Sequence, residues 1–395
     1  MNITVQDIIH IEPLKSLKLI AGAGGLDHVV SKVGILDYEF TKRGNSFYAD
    51  GHWQPGEFVL TTFIYAKANA TLMLDAVKRL RSEKTSGIAI KNVYSLEIPY
   101  EIIHYANTHH FPLFIFTDNS LFFETVIIAV NQFMTAMNDQ SVIEGTISSL
   151  LNGENDINAV KRKALEINYA LSEKYVVAYF SLKPGIPMQK LNLLLSCGYE
   201  TLGRGKSLAK YGDGFFYIRG IDSSKKQPPV DVIHELEQKT GLDPEDYHVG
   251  ISEPQYFLAH FKKGLQQSYY AATYSRVIGS QSSHYTSVGV YKLLLPYVDA
   301  DIYCEYYDMI IPPIIEYDEK NNTNLLETAL MYEACYGNIN EVASQLCSHS
   351  NTVRYRIKKL ADILGMDTAD GRFAEQLSLA VKLYRIKNAK NNLND

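Results

Sequence analysis

Between residues 33 and 138, short apolar runs alternate with stretches whose apolar residues recur every three or four positions. "VGILDY", "EFVLTT", "GIAIK" and "PLFIFT" are nearly continuous apolar segments, the pattern of strands covered on both faces. Between them "ATLMLDAVKRLRS" sets Leu72, Ala76, Val77 and Leu80 on one side of a helix. "PYEIIHYANTHH" reads as a helix opened by Pro99, and "LFFETVIIAVNQFMTAM" as a long one. Strand and helix in alternation predict a parallel sheet flanked by helices, which makes residues 1–138 a first α/β domain.

The pattern then changes twice. Residues 139–172, with "SVIEGTISSLLNG", predict a helical connector. A second α/β block follows over 173–300: strand "KYVVAYFSL", a hairpin "LAKYGDGFFYIRG" turned at Gly212-Asp213-Gly214, helix "DVIHELEQKT", strand "YHVGIS" and the long helix "QYFLAHFKKGLQQSYYAATYSRVIG". "IIPPIIEYDEKNNTN", with Pro312-Pro313 and a polar run, predicts a linker over 301–322, and everything from 323 to 395 reads as helical. The fold class is thus α/β multidomain with an all-α C-terminal part. At 395 residues the chain suits three domains.

Composition sharpens one feature of that last part. The chain is mildly acidic, with a formal net charge of -6, so attraction to nucleic acid must come from a local patch. Such a patch exists in "HSNTVRYRIKKLADILG", where Arg354, Arg356, Lys358 and Lys359 fall within six residues with no acid among them. Asn338, with Glu341 three residues on, predicts a capped short helix, "CSHS" a turn, and Gly365 the stop of a second helix: a helix-turn-helix. On a wheel, Val353, Ile357, Leu360 and Leu364 cluster within about 40° as the buried stripe. Asn351, Tyr355, Lys358 and Lys359 fall opposite, with Thr352 and Arg354 at the edges. Amide, hydroxyl and basic groups on one helix face suit base edges in a major groove. A second acid-free run carries Lys382, Arg385, Lys387 and Lys390 and could contact phosphates, the other reading being a disordered C-terminal run.

The stretch from "LLETALMYEAC" to "VKLYRI" resembles the C-terminal helix-turn-helix of PucR-type (purine-catabolism regulator-like) transcriptional regulators, at "LLET", "NINEVASQL" and most specifically "HSNTVRYRI" followed by "LG". "GAGGLDHVVSKVGILDY", "PGEFVLTT" and "IPYEIIHYANTHHFPLFIF" resemble the N-terminal sensory domain of that family. "KYGDGFFYI" and the helix after "GISEP" resemble its central domain, a degenerate diguanylate-cyclase-like fold. The resemblance implies a one-component, metabolite-responsive DNA-binding regulator of purine or amino-acid catabolism, more often an activator, paired as a homodimer or higher homo-oligomer. Its partners would be an operator in double-stranded DNA and a small-molecule effector. The DNA-reading residues are then Ser350, Asn351, Thr352, Arg354, Tyr355, Arg356, Lys358 and Lys359. Ligands of parallel sheets bind beyond the carboxyl ends of the strands, here Asp37, Tyr38, Thr61, Thr62, Lys91, Asn92, Thr117 and Asp118.

Other chemistry is weaker. Gly214 and Phe215 stand where an active cyclase hairpin needs an acid, leaving Asp213, so no cyclase activity is expected. "GRGKS" lacks the first glycine of a phosphate loop, and "GAGGLD" the third of a dinucleotide fingerprint. His104 and His109 are expected on different helix faces, and Cys335 and Cys347 as small apolar side chains, so no metal, cofactor or catalytic group is assigned. No run reaches the roughly 18 apolar residues of a membrane span, and the four scattered cysteines suit a reducing cytoplasm. Two other readings stay open: a nucleotide-binding protein or enzyme using the α/β blocks, and a C-terminal oligomerisation module that binds no DNA.

Overall fold

The computed structural model describes residues 3–36, 53–67, 69, 71–118, 121–153, 156–203, 205–221, 231–368 and 371–391. In chain order the first elements are α1 (Val5–Ile8), β1 (Lys18–Ala21), β2 (Lys32–Leu36), β3 (Glu57–Thr61), α2 (Thr71–Ser82), β4 (Gly87–Lys91), α3 (Tyr100–Thr108), β5 (Leu113–Phe116) and α4 (Phe123–Asn152). Then come α5 (Ile157–Ile167), β6 (Tyr175–Leu182), α6 (Met188–Leu202), β7 (Lys206–Tyr211), β8 (Gly214–Gly220), α7 (Val232–Thr240), β9 (Tyr247–Ile251), α8 (Phe261–Ile278), β10 (Ser282–His284) and α9 (Tyr291–Leu294). The chain ends in α10 (Asp301–Asn321), α11 (Leu325–Ala334), α12 (Ile339–Gln345), α13 (Ser350–Leu364) and α14 (Gly371–Asn391). These elements form two compact units. One comprises Met1–Gly153, Ile186–Gly212 and His234–Leu242, and the other Glu154–Gly185, Asp213–Ile233 and Asp243–Asp395.

The first unit holds a sheet of order β1-β5-β4-β3-β2. Strands β2 to β5 are parallel in register, as the apolar runs predict, and β1 joins β5 antiparallel at the edge. Strand β3 is buried along its whole length. Met73, Ala76, Val77 and Leu80 of α2 face the sheet, with Leu72 only partly covered. Helix α4 runs unbroken through residue 138, where a domain end is predicted, because its buried face continues through Met137, Gln140, Ile147 and Leu150. Gln140 is fully buried and acts as a strand partner: its Nε2 donates to the Leu208 carbonyl at 3.2 Å and its Oε1 accepts from the Lys210 N–H at 2.8 Å. One turn on, Glu144 accepts from the Gly212 N–H at 2.8 Å and pairs with Lys210 Nζ at 2.9 Å. Two side chains thus satisfy backbone groups of β7 that would otherwise be stranded.

In the second unit β10, β9, β6 and β8 lie side by side in that order. β6 is antiparallel to both β8 and β9, and β10 is parallel to β9. Helix α8 lies so close on β9 that a Cβ at Gly250 would sit 2.0 Å from the Ala272 nitrogen and 2.1 Å from the Ser268 carbonyl oxygen. Only glycine fits there.

Residues 301–322, expected as a linker, are helix α10, with Pro312 and Pro313 inside it. Each proline removes one N–H bond to the carbonyl four residues back. The helix survives because Ile310, Ile311 and Ile314 are buried among the C-terminal helices. Asp318 then starts α11, accepting from the Leu325 and Leu326 N–H groups, each at 2.8 Å. Helix α14 serves two cores. Phe373, Leu377, Ala380 and Val381 pack with α10–α13, while Leu383 and Ile386 pack with Ala271, Val288, Tyr291 and Leu294 of the α8–α9 layer.

Candidate nucleic-acid interface

Helices α12 and α13 form the expected pair, and their ends show why. Asn338 caps α12 by accepting from the Asn340 and Glu341 N–H groups. Cys347 takes φ 47° in the turn. His349 caps α13, its Nδ1 accepting from the Asn351 N–H at 3.2 Å, and Gly365 ends the helix in the left-handed region. Val353, Ile357, Leu360 and Ala361 are buried, and Leu364 is partly covered.

Asn351, Thr352, Arg354, Tyr355 and Lys358 are exposed, Tyr355 to 70%. Arg354 Nη1 donates to Asn351 Oδ1 at 3.1 Å, so the two side chains hold each other. Ser350, the first residue of α13, is half-buried, as are Arg356 and Lys359. Arg356 turns towards the fold: its Nη1 donates to Oγ1 of Thr328, a buried residue of α11, at 3.3 Å. Lys359 Nζ lies 5.0 Å from the centroid of the Tyr317 ring. Thr352, Tyr355, Arg356 and Lys359, with Asn322 and Asn324, line a cavity of about 300 Å³ beside the recognition helix.

The second basic run differs more from expectation. Lys382 and Arg385 embrace Glu333 of α11, at 2.5 and 3.0 Å, and Arg385 also donates to the Leu330 carbonyl. Lys387 Nζ lies 3.9 Å from the centroid of the Tyr307 ring. These cations hold α14 to its neighbours and do not form a free basic face. No spacing rule within one helix finds Glu333, which lies 49 residues from Lys382.

In the second unit, Asp213, the one acid at the hairpin turn, accepts from Tyr179 OH at 3.1 Å and Ser181 Oγ at 2.7 Å. It also pairs with Arg276 Nη2 at 2.8 Å, and that same nitrogen contacts Ser181 Oγ. Burial first, then the Asp213 carboxylate, holds the Tyr179 hydroxyl well above its usual pKa. Burial likewise lowers His248, whose Nδ1 lies 2.9 Å from the Ser280 carbonyl oxygen.

The expected effector residues lie at one sheet edge, since the parallel strands β3, β4 and β5 end together at Thr61, Lys91 and Phe116. Asp37 and Tyr38 fall outside the described residues. Thr61 Oγ1 accepts from the Phe63 N–H, Thr62 Oγ1 from the Ile64 N–H, and Lys91 Nζ donates to the Leu121 carbonyl at 2.7 Å. Asn92 is bonded twice to Leu96, while Thr117 and Asp118 are exposed. The backbone ends converge, but the side chains of Thr61, Thr62, Lys91 and Asn92 shape the local loops. His104 and His109, expected on different faces, both line a groove of about 290 Å³ between α2 and α3, each stacked on a tyrosine of its own helix. Among the described residues no cluster of three or more metal-type side chains occurs, and no helix is long and apolar enough to cross a membrane.

Comparison with known proteins places this geometry. The proline-responsive transcriptional activator PutR of Bacillus subtilis (strain 168) is 26% identical over 147 residues, 36% of this chain and 36% of PutR. The purine catabolism regulatory protein of the same organism is 30% identical over 93 residues, 24% of this chain and 17% of its own length. The matched stretches thus span about a third or less of these relatives. The crystal structure of a regulator of polyketide synthase expression from Bifidobacterium adolescentis aligns over 63% of this chain and 99% of its own, at 16% identity and a TM-score of 0.30, too low for any argument. Residues 7–134 match the purine catabolism regulatory protein-like family, and residues 325–383 its C-terminal helix-turn-helix domain. The chain therefore carries a PucR-family domain near one end and the PucR C-terminal helix-turn-helix domain near the other.

Proposed function

We propose that this protein is a one-component DNA-binding transcriptional regulator rather than an enzyme, acting in the cytoplasm as a homodimer or higher homo-oligomer. The observation that carries the reading is α13: a capped helix on a buried stripe, exposing Asn351, Thr352, Arg354, Tyr355 and Lys358 on a stretch free of acids. Such a surface pairs with base edges in a major groove. The names of the PutR and purine regulator relatives support control of amino-acid or purine catabolism genes, and that of PutR supports activation. An effector bound at the carboxyl edge of the first sheet, beside the exposed Thr117 and Asp118, would act by changing how two protomers pair. Recognition helices of a two-fold dimer sit about 34 Å apart on DNA, so pairing geometry becomes operator affinity. The engagement of Asp213 by Arg276 supports reading the central sheet as a degenerate cyclase-like scaffold.

The test is retention of fragmented genomic DNA at near-physiological salt by the parent and by the Arg354→Ala, Lys358→Ala variant. The parent should enrich a few fragments sharing a two-fold-related site, and each single substitution should cost about 1–3 kcal/mol if its side chain reads a base. Sequence-blind retention by both proteins refutes the reading.

A further inference from the structure

We infer that Asp213 and Arg276 are positioning residues for the DNA-reading helix. The inference rests on the proposed function and names how the α13 face is held. Arg276 sits on α8 with its side chain 11% exposed, and its guanidinium faces two ways. Nη2 engages Asp213 in the turn before β8, together with Ser181 of β6. Nη1 donates to the Ala389 carbonyl in the last turns of α14, at 3.4 Å. Further up α14, Lys382 and Arg385 hold Glu333 of α11. Five residues before Glu333, Thr328 accepts from Arg356 of α13. Polar contacts thus fasten α8 to α14, α14 to α11 and α11 to α13, with the helices themselves joining one contact to the next.

The packing follows the same route. The buried face of α14 passes from the core of the α8–α9 layer into the core of the helix-turn-helix, so one helix is packed into both. Packed side-chain networks can carry coupling between distant sites, and an arginine as covered as Arg276 is left with an uncompensated charge when its carboxylate is removed. The hairpin acid that suggests a catalytic ancestry is used here as an anchor for the DNA-reading end.

The experiment is amide hydrogen exchange on the full chain, comparing the parent with Arg276→Ala, Asp213→Ala and the conservative Arg276→Lys and Asp213→Glu, with Arg79→Ala as a control on an ion pair of the first unit. Exchange in residues 325–334 and 350–364 should rise at least fivefold in both alanine variants, return towards the parent in the conservative ones and stay unchanged in the control. Binding to an enriched DNA fragment should weaken tenfold or more, while binding to an arbitrary duplex of the same length keeps its salt dependence. Exchange that rises only at the end of α14, leaving α11 and α13 as in the parent, overturns the inference. So does operator affinity within twofold of the parent. If the parent binds no DNA the proposed function fails, and the exchange data still decide the positioning role. If an alanine variant does not fold, Arg276→Gln and Asp213→Asn, which keep the shape and remove the charge, take its place with the same expected rise in exchange.

Discussion

Replacing Glu333 by alanine tests how α14 is fastened. Its carboxylate is 11% exposed and faces Lys382, 17% exposed, and Arg385, 27% exposed. Removing one partner of a buried pair costs roughly 3–5 kcal/mol because the opposing charge is left uncompensated. Here Lys382 keeps Ser378 Oγ at 2.6 Å and Arg385 keeps the Leu330 carbonyl, so the lower end, about 3 kcal/mol, is the better value. For a cooperative unit of this size each kcal/mol lowers Tm by about 2–4 °C, giving a fall of about 6–12 °C. Calorimetry of the full chain reads this directly, and Glu333→Gln, which keeps the shape and one acceptor oxygen, should fall by less. A Tm for Glu333→Ala within 2 °C of the parent would show that the two cations are as well off in water, and the fastening argument would fail.

Two further outcomes follow from single side chains. Gln140→Leu keeps the volume of a buried residue but strands the Leu208 carbonyl and the Lys210 N–H; at about 1–3 kcal/mol for each unsatisfied group, urea denaturation should show a loss of roughly 2–6 kcal/mol, and a loss below about 0.5 kcal/mol, the scatter of surface substitutions, would refute the strand-partner role. Burial, with Glu333 nearby, pushes the Tyr291 hydroxyl up to about 12 from 10.0. A tyrosine whose folded pKa is raised favours folding while protonated, so its contribution is whole below pH 10 and is lost as pH rises towards 12. The denaturation midpoint should fall beyond pH 10, less steeply in Tyr291→Phe; a midpoint flat to pH 11 contradicts it.

Much of the first unit was legible because parallel strands buried on both faces leave continuous apolar runs, as β3 and β4 do. Strand β1 was not: "KLIA" is short, sits at the edge and buries only Ala21 fully. Helix α10 was misread because Pro312-Pro313 is a local signal of interruption, while the reason the helix persists, the burial of Ile310, Ile311 and Ile314, is tertiary. The helix-turn-helix was readable down to its caps, Asn338 and Gly365, since capping is decided within a few residues. What each cation does was not. Arg356, Lys382 and Arg385 find partners 28, 49 and 55 residues away, beyond any helical spacing.

That partition has a measurable consequence for DNA binding. Of the basic residues on α13, Arg354 and Lys358 point outward, whereas Arg356 is spent on Thr328 and Lys359 lies over Tyr317. On α14, Lys382 and Arg385 share the single carboxylate of Glu333, and Lys387 sits on Tyr307. Each phosphate neutralised on a duplex contributes about -0.9 to the slope of log affinity against log salt. Counted on the outward Arg354 and Lys358 alone, the slope is about -1.8 per protomer and about -3.6 for a dimer on two half-sites. Fluorescence anisotropy across a salt series on an enriched fragment measures the slope, and Lys358→Ala should make it shallower by about 2 in the dimer. A parent slope steeper than about -6 that Lys382→Ala makes shallower would require that the cations now bound to Glu333 leave it for phosphate. Helix α14 would then be a DNA contact, and its role as the strut behind the recognition helix would have to be abandoned.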